Sequence, residues 1–229
     1  MSACGKCGDG GLGPAPPPPS VSTSKGGADP ETGVIRLLAL GDSVTQGLGT
    51  KDPATGSFPA LVAEKWRSAG CKVELKNPAV TRYLASDVID KELPLIATFK
   101  PTLITFQIGA NDVANNVPVE TYRANVQKIL EAALKSGARV LVLPQNEWFR
   151  SPEGPNYGKN LTTRCAAFDK VLIDETRAKG AELIDLRHLY RQQAEKKMWS
   201  DDNIHPTGDA YVGWADEIAR VVPAPCKQK

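Results

Sequence analysis

Four side chains with complementary chemistry lie in short polar blocks at separate places in the chain. Ser43 ends a Gly-Asp-Ser block after an apolar run at residues 34–40, and a serine at the end of a buried strand can expose its hydroxyl. Asp202 stands three residues before His205, so its carboxylate can orient an imidazole that deprotonates the serine. Asn111, in a Gly-Ala-Asn-Asp block, supplies an amide that can bind an oxyanion. Together these side chains predict nucleophilic attack on a carbonyl group.

The chain contains two histidines, which narrows the choice of a general base. His188 lies in a stretch that predicts an amphipathic helix, where a surface or rim position is expected. Pro206 restricts His205 to extended backbone angles and can begin the next helix, so the imidazole of His205 is expected on a stiff loop. Asp202 can then bind Nδ1 and leave Nε2 facing Ser43. The predicted triad is therefore Ser43, His205 and Asp202.

The polar blocks, in this order and at this spacing, resemble those of the SGNH (GDSL-type) hydrolase family over about residues 34–222. Taken alone, Gly-Asp-Ser favours a plain turn in which Ser43 caps a helix, whereas its occurrence with the other blocks favours a nucleophile. Thr45 excludes the Gly-x-Ser-x-Gly elbow of α/β-hydrolases, which needs glycine at that position. The resemblance implies that Asp42 braces the turn and that the Ser43 amide joins the Asn111 side chain in an oxyanion hole.

The sequence departs from the family pattern after the second predicted strand. SGNH proteins usually carry a glycine there whose amide is a further oxyanion donor, and aligning Asn77 with the family's asparagine puts Arg82 in its place. Because every residue except proline keeps its backbone N–H, Arg82 is expected to retain the donor. Its guanidinium would overhang the crevice and favour substrates with a carboxylate or many hydroxyl groups. The alternative is that Arg82 is a solvated residue at a helix entry.

Short apolar runs alternate with amphipathic stretches along the chain. Unbroken apolar runs are typical of strands covered on both faces, and strands are predicted at residues 35–40, 72–75, 103–107, 139–143 and 182–185. Helices are predicted at residues 58–68, 84–98, 119–135, 161–179, 186–197 and 207–221. The alternation predicts an α/β fold, a three-layer α/β/α domain with a five-stranded parallel sheet, flavodoxin-like as in SGNH hydrolases. Ligands bind such sheets at the carboxyl ends of the strands, where Ser43 and Asn111 both fall.

A long segment at residues 145–158 follows the fourth predicted strand and contains adjacent aromatic residues, Trp148 and Phe149. Its place after a strand predicts a substrate wall over the crevice. Packing of the two aromatic side chains back on the core is an equal alternative.

Composition divides the chain into three parts. The first 33 residues contain eight glycines, six prolines and few apolar side chains, so residues 1–33 are expected to be a disordered leader or tether. Residues 34–222 form the predicted hydrolase domain and residues 223–229 a C-terminal tail. The formal net charge is +2 with acids and bases interspersed, so no nucleic-acid partner is expected. No apolar run approaches the roughly 18 residues of a membrane-spanning helix.

The cysteines bear on location and on metal binding. Small residues before Cys4 resemble the end of a bacterial lipoprotein signal, which predicts a lipid on Cys4, a membrane tether and export to the cell surface or periplasm. The alternative is a disordered cytosolic leader. Cys4 and Cys7 have CxxC spacing, but no second pair or histidine is nearby, so no metal is expected there. Cys71, Cys165 and Cys226 allow one disulfide in an exported protein, and the sequence does not select the pair.

The predicted function is a serine esterase that hydrolyses carboxylic esters. The resemblance implies a short-chain acyl ester or an O-acetylated carbohydrate as substrate, and a triad mechanism needs no metal or organic cofactor. The alternatives are a thioesterase or lysophospholipase, and a non-catalytic glycan-binding module of the same fold. The joint presence of Ser43, Asn111, Asp202 and His205 favours an enzyme over a binding module.

Overall fold

A computed structural model describes residues 26–227 of the chain. The strands in this part are β1 (Val34–Gly41), β2 (Lys72–Lys76), β3 (Leu103–Gln107), β4 (Arg139–Val142) and β5 (Glu182–Leu183). They form one parallel sheet in the order β2-β1-β3-β4-β5. This is the strand order of flavodoxin-like folds, so the predicted fold class is confirmed.

The α-helices among the described residues are α1 (Ser43–Gln46), α2 (Pro53–Gly56), α3 (Phe58–Ser68), α4 (Ala85–Asp87), α5 (Leu95–Phe99), α6 (Ala110–Ala114), α7 (Val119–Lys135), α8 (Leu161–Lys179), α9 (Arg187–Glu195) and α10 (Gly208–Val221). A π-helical turn, Val88–Glu92, follows α4 directly. Three 3₁₀ turns complete the set, at Trp148–Arg150, Gly154–Tyr157 and Pro225–Lys227.

The two faces of the sheet bury separate apolar clusters because side chains alternate along each strand. On β1, Leu38 and Leu40 belong to the cluster that α7 and α8 cover. Ile35 and Leu37 belong to the cluster on the opposite face, which α3 and α10 cover. Helices on both faces of the sheet give the three-layer α/β/α arrangement. The same coverage explains why the central strands are unbroken apolar runs.

One predicted helix is interrupted in the structure. The amphipathic pattern at residues 84–98 predicts a single helix, but α4, the π-helical turn Val88–Glu92 and α5 divide it. Pro94 precedes α5, and proline lacks the N–H that a continuous helix requires. The helices α3, α7 and α8 have the predicted bounds.

The segment at residues 26–33, which composition assigned to the disordered leader, packs against the domain instead. The Thr102 hydroxyl donates a hydrogen bond to the Gly27 carbonyl at 2.9 Å. Asp29 accepts hydrogen bonds from two backbone amides of the following turn and pairs with Arg36 at 3.0 Å. The folded part therefore begins earlier than the composition indicates. Residues 1–25, including Cys4, lie outside the described residues.

A disulfide joins Cys71 to Cys226, with the Cα atoms 5.7 Å apart. It resolves the pairing that the sequence left open and attaches the C-terminal tail to the chain between α3 and β2. Cys165 is buried and free. Within residues 26–227, every helix is too short or too polar to span a bilayer.

Candidate active site

Ser43 is the first residue of α1, directly after the carboxyl end of β1. Asp42 caps this helix, and its carboxylate accepts a hydrogen bond from the Val44 amide at 3.1 Å. A Cβ at Gly41 would meet the Gln107 carbonyl oxygen at 2.5 Å, so only glycine fits there. Because Asp42 provides the cap, the interpretation of Ser43 as a capping residue is wrong. The Ser43 hydroxyl is left for other contacts.

The structure brings the three predicted triad residues into one hydrogen-bonded chain. The Oγ of Ser43 lies 2.8 Å from Nε2 of His205. The Nδ1 of His205 lies 2.6 Å from Oδ2 of Asp202. With the Nδ1 proton donated to the Asp202 carboxylate, the free lone pair on Nε2 faces the serine hydroxyl. This is the arrangement in which an imidazole can accept the serine proton.

The loop at residues 199–206 holds the imidazole through its own backbone. The Ser200 amide donates to the His205 carbonyl at 2.8 Å, and Trp199 and Pro206 form an isolated antiparallel bridge. The Tyr211 hydroxyl of α10 donates to the Leu48 carbonyl at 2.9 Å. This contact fixes α10, which follows the histidine loop, against the chain that follows α1.

Asp202 is held in its ionised form by hydrogen bonds. Partial burial alone would raise the pKa of its carboxyl, but the amides of His205 and Ile204, the imidazole and the Ser200 hydroxyl outweigh burial and lower it. The two amides lie 2.9 and 3.0 Å from Oδ1. A charged carboxylate at this distance can stabilise an imidazolium, so the pair is suited to accept a proton.

Asn111 lies in α6, just beyond the carboxyl end of β3. Its side-chain amide donates hydrogen bonds to the Tyr83 carbonyl at 3.1 Å and to Oδ2 of Asp42 at 3.3 Å. The longer bond points back to the residue next to Ser43. Both amide protons therefore face the edge of the sheet at which Ser43 lies, and an oxyanion there would compete for the weaker contact.

Arg82 occupies the third position of a turn in which the Tyr83 amide donates to the Val80 carbonyl at 3.2 Å. Its φ is 68°, the left-handed region that glycine adopts without strain. On one side of Arg82, the Thr81 amide donates to Oε1 of Gln46 in α1 at 2.8 Å. On the other side, the Tyr83 carbonyl accepts the Asn111 bond. The turn is thus fixed by both elements of the candidate oxyanion hole.

The backbone amides of Ser43 and Arg82 have no hydrogen-bond acceptor among the described residues. The Arg82 side chain is exposed, and its guanidinium forms no ion pair with any residue of this part of the chain. Unpaired amides beside a nucleophile are suited to an oxyanion. The left-handed backbone of a non-glycine residue costs on the order of 1–3 kcal/mol and persists only where surrounding contacts impose it.

Two buried acids support the turns around Ser43. Burial raises the pKa of Asp42 to about 7, and the nearby charge of Asp112 adds to the rise. Burial likewise raises the pKa of Asp112 to about 6, although the Ala85 amide donates to its carboxylate at 3.1 Å. Asp112 thereby ties the start of α4, and the Arg82 turn before it, to α6. Asp112 directly follows Asn111 in the sequence, but its residue type alone gave no sign of this role.

The structure also places the second histidine, His188, and the long segment at residues 145–158. His188 is exposed on α9, as the amphipathic pattern predicts. The prediction of a substrate wall at residues 145–158 is wrong for Trp148, which is 4% exposed and stacks edge-on with Tyr157 at a centroid distance of 5.2 Å. The Glu153 amide of this segment donates to the Asn203 carbonyl at 3.2 Å. The segment therefore packs on the core and supports the histidine loop.

Comparison with known proteins decides the family. A model of the GDSL-like Lipase/Acylhydrolase family matches residues 39–212, which include Ser43, Asn111 and His205. The chain belongs to this family. An arylesterase of Vibrio mimicus is 25% identical over 186 residues, which cover 81% of this chain and 86% of that protein.

Solved structures of similar shape support the family fold. A crystal structure of TesA matches with a TM-score of 0.69 at 23% identity, covering 83% of this chain and 99% of that chain. The acetyl xylan esterase AlAXEase matches with a TM-score of 0.68 at 16% identity, covering 82% of this chain and 100% of that chain. At these identities the likeness concerns the fold.

Proposed function

We propose that the protein is a serine esterase that hydrolyses carboxylic esters through an acyl-enzyme on Ser43. The observation that carries the proposal is the hydrogen-bonded chain from Ser43 through His205 to Asp202, with distances of 2.8 and 2.6 Å. Membership of an acylhydrolase family supports the same reaction class. The remaining steps follow from the positions of the donors and acceptors.

In the first half of the reaction, Oγ of Ser43 attacks the ester carbonyl carbon while its proton moves to Nε2 of His205. The carbonyl π electrons pass to the oxygen, which becomes an oxyanion. The amides of Ser43 and Arg82 and the side chain of Asn111 donate hydrogen bonds to it. Asp202 stabilises the positive charge on the imidazole without taking its proton.

The tetrahedral intermediate collapses when the bond between the carbonyl carbon and the alkoxy oxygen breaks. Nε2 of His205 gives its proton to the departing alcohol, which leaves the acyl group on Ser43. A water molecule then attacks the acyl carbon as His205 takes one of its protons. Collapse of the second intermediate releases the carboxylic acid and returns the proton to Oγ of Ser43.

We propose a short-chain acyl ester or an O-acetylated carbohydrate as the substrate. The arylesterase relative and the acetyl xylan esterase of similar fold support this class. The purified protein should cleave p-nitrophenyl acetate faster than p-nitrophenyl esters of long acyl chains, and should release acetate from acetylated xylan. Ser43→Ala serves as the blank. Faster hydrolysis of the long-chain esters would favour the lysophospholipase alternative, and hydrolysis of no ester would contradict the proposal.

Arg82 offers a test of how the alcohol or acyl part is selected. Arg82→Gly keeps the backbone amide, so kcat for p-nitrophenyl acetate should stay within about tenfold. The change removes the unpaired guanidinium, so kcat/KM for an anionic ester should fall. The corresponding loss of transition-state stabilisation should be about 1.5–3 kcal/mol, the range for a hydrogen bond to a charged group. The variant should also be more stable by on the order of 1 kcal/mol, because glycine adopts the left-handed backbone freely.

Kinetics with both esters at low and high salt, together with thermal unfolding, check the Arg82 prediction. The control is Lys51→Gly, which removes one positive charge from an exposed residue beyond α1. Arg67 is not used for this purpose, because glycine inside α3 would weaken that helix. Equal losses for the neutral and the anionic ester would contradict a role of the Arg82 guanidinium in selection.

We further propose that the protein is exported. The disulfide between Cys71 and Cys226 supports an oxidising compartment, because such bonds persist outside the cytosol. The predicted lipidation of Cys4 concerns a residue outside the described range and stays a prediction.

A further inference from the structure

A carboxyl group with no solvent contact lies directly behind the nucleophile turn. Glu92 is 0% exposed and ends the π-helical turn Val88–Glu92. Around it, Val88, Leu93 and Ile96 contribute to one of the two apolar clusters. Its Oε2 accepts a hydrogen bond from the Gly41 amide at 2.9 Å. Gly41 is two residues before Ser43, so Glu92 contacts the backbone that presents the nucleophile.

The other carboxyl oxygen of Glu92, Oε1, has no hydrogen-bond partner in the described part of the chain. Oε1 is buried, and no donor among residues 26–227 reaches it. No lysine, arginine or histidine of this part of the chain pairs with Glu92. A buried carboxylate with a single hydrogen bond and no counter-ion carries a large desolvation penalty, and protonation replaces it by the much smaller cost of one unpaired hydroxyl.

The surroundings favour the neutral form further. Burial raises the pKa of Glu92 to about 8 against the opposing effect of the Gly41 amide, and the negative charges of Asp42 and Asp87 add to the rise. Asp42 faces Glu92 from the end of β1 and Asp87 from the end of α4. Lys91, on the same π-helical turn, pairs with Asp87 at 2.7 Å. Glu92 thus lies near two other acids, Asp42 and Asp87, and forms no ion pair of its own with any described residue.

We propose that Glu92 is a positioning residue of the esterase site, which as a neutral acid protonated on Oε1 holds the Gly41 amide and so fixes the turn that presents Ser43. A π-helical turn suits this role because its extra residue per turn redirects a side chain that a regular helix would point elsewhere. The Leu93 amide donates to the Val88 carbonyl at 2.9 Å, which closes the turn. The proposal rests on the proposed ester hydrolysis, whereas the proton on Glu92 does not.

Two substitutions separate the hydrogen bond from the charge. Glu92→Gln keeps an acceptor for the Gly41 amide and never ionises, so its kcat for p-nitrophenyl acetate near neutral pH should match that of the unaltered protein. Glu92→Ala removes the contact, so kcat should fall by roughly ten- to a hundredfold with KM little changed, because a small displacement of the nucleophile suffices. Asp90→Asn, at an exposed position of the same turn, is the matched control.

Thermal unfolding tests the proton itself. A carboxyl group whose pKa is raised in the folded state costs stability as pH rises from its unfolded to its folded pKa. The Tm of Glu92→Gln should therefore equal that of the unaltered protein near about pH 4.5 and exceed it increasingly up to about pH 8. Above about pH 8 ionisation would leave an unpaired buried charge behind the Ser43 turn and displace it, so the kcat of the unaltered protein should fall there while that of Glu92→Gln should not.

A loss of kcat in Glu92→Gln as large as in Glu92→Ala would overturn the proposal, because it would show that a charged carboxylate is needed. So would an unchanged kcat in Glu92→Ala. The difference in Tm between Glu92→Gln and the unaltered protein should vary with pH. A difference that stays constant would show that Glu92 is not protonated in the folded protein. If Glu92→Ala does not fold, the Tm and pH profiles of Glu92→Gln still decide. A protein that cleaves no ester would refute the proposed function while the Tm series continues to test Glu92.

Discussion

Ser43→Ala and His205→Ala should each lower kcat for ester hydrolysis by at least about 10³-fold, and the double variant should be little slower than either single variant. In the proposed mechanism the two residues act as one unit, because the hydroxyl attacks only when Nε2 of His205, 2.8 Å away, takes its proton. Steady-state kinetics of the three variants check this result. His188→Ala, which removes the exposed second histidine, is the control and should keep full activity. Losses that add in the double variant would contradict the shared role.

The carboxylate of the triad has its own neighbour as a control. Asp202→Asn should lower kcat less than the loss of His205, since the backbone bonds of the loop at residues 199–206 still hold the imidazole. Asp201→Asn alters an exposed side chain and should have no effect. If Asp201→Asn lowered kcat strongly while Asp202→Asn left it unchanged, the carboxylate would be wrongly assigned.

Asn111→Ala should lower kcat by roughly 10²–10³ with KM nearly unchanged, because it removes one preorganised donor to the oxyanion. The variant also loses the hydrogen bond to the Tyr83 carbonyl, so the free energy of unfolding should fall by about 1 kcal/mol. Kinetics and thermal unfolding measure the two effects separately. Asn115→Ala, at the end of the same helix, is the matched control. A large loss of stability without a change in kcat would make Asn111 purely structural.

Much of the fold was predictable because the sheet is buried on both faces. An unbroken apolar run such as residues 103–107 is recognisable in the sequence, and it is the observed strand β3. The long amphipathic helix α7 was equally clear. The short helices α1 and α6, of four and five residues, were missed because they are too short for a helical period to show.

The pattern at residues 84–98 predicted one helix because its apolar spacing continues through Pro94. Pro94 interrupts the helix because proline lacks the backbone N–H that a continuous helix needs. The π-helical turn that precedes it directs Glu92 to Gly41. Hydrophobic spacing carries no information on such an inward acid, since one glutamate in an amphipathic helix is expected to face solvent. The contact depends on a partner 51 positions away in the sequence.

The candidate site was predicted in its residue types and only partly in its connections. Asp202 and His205 are only three positions apart in the sequence, so their contact could be predicted locally. The bond from Asn111 to the Tyr83 carbonyl joins segments that only the folded sheet brings together. The left-handed backbone of Arg82 could not be derived from an arginine, which avoids that region outside a constrained turn.

Labelling with a fluorophosphonate probe, followed by peptide mapping, tests the central claim most directly. Such probes react with a serine only when a neighbouring base activates its hydroxyl. We expect one label per chain on Ser43, lost in Ser43→Ala and strongly slowed in His205→Ala, with His188→Ala labelled as fast as the unaltered protein. Absence of labelling, or a label on another serine that persists in Ser43→Ala, would contradict Ser43 as the activated nucleophile.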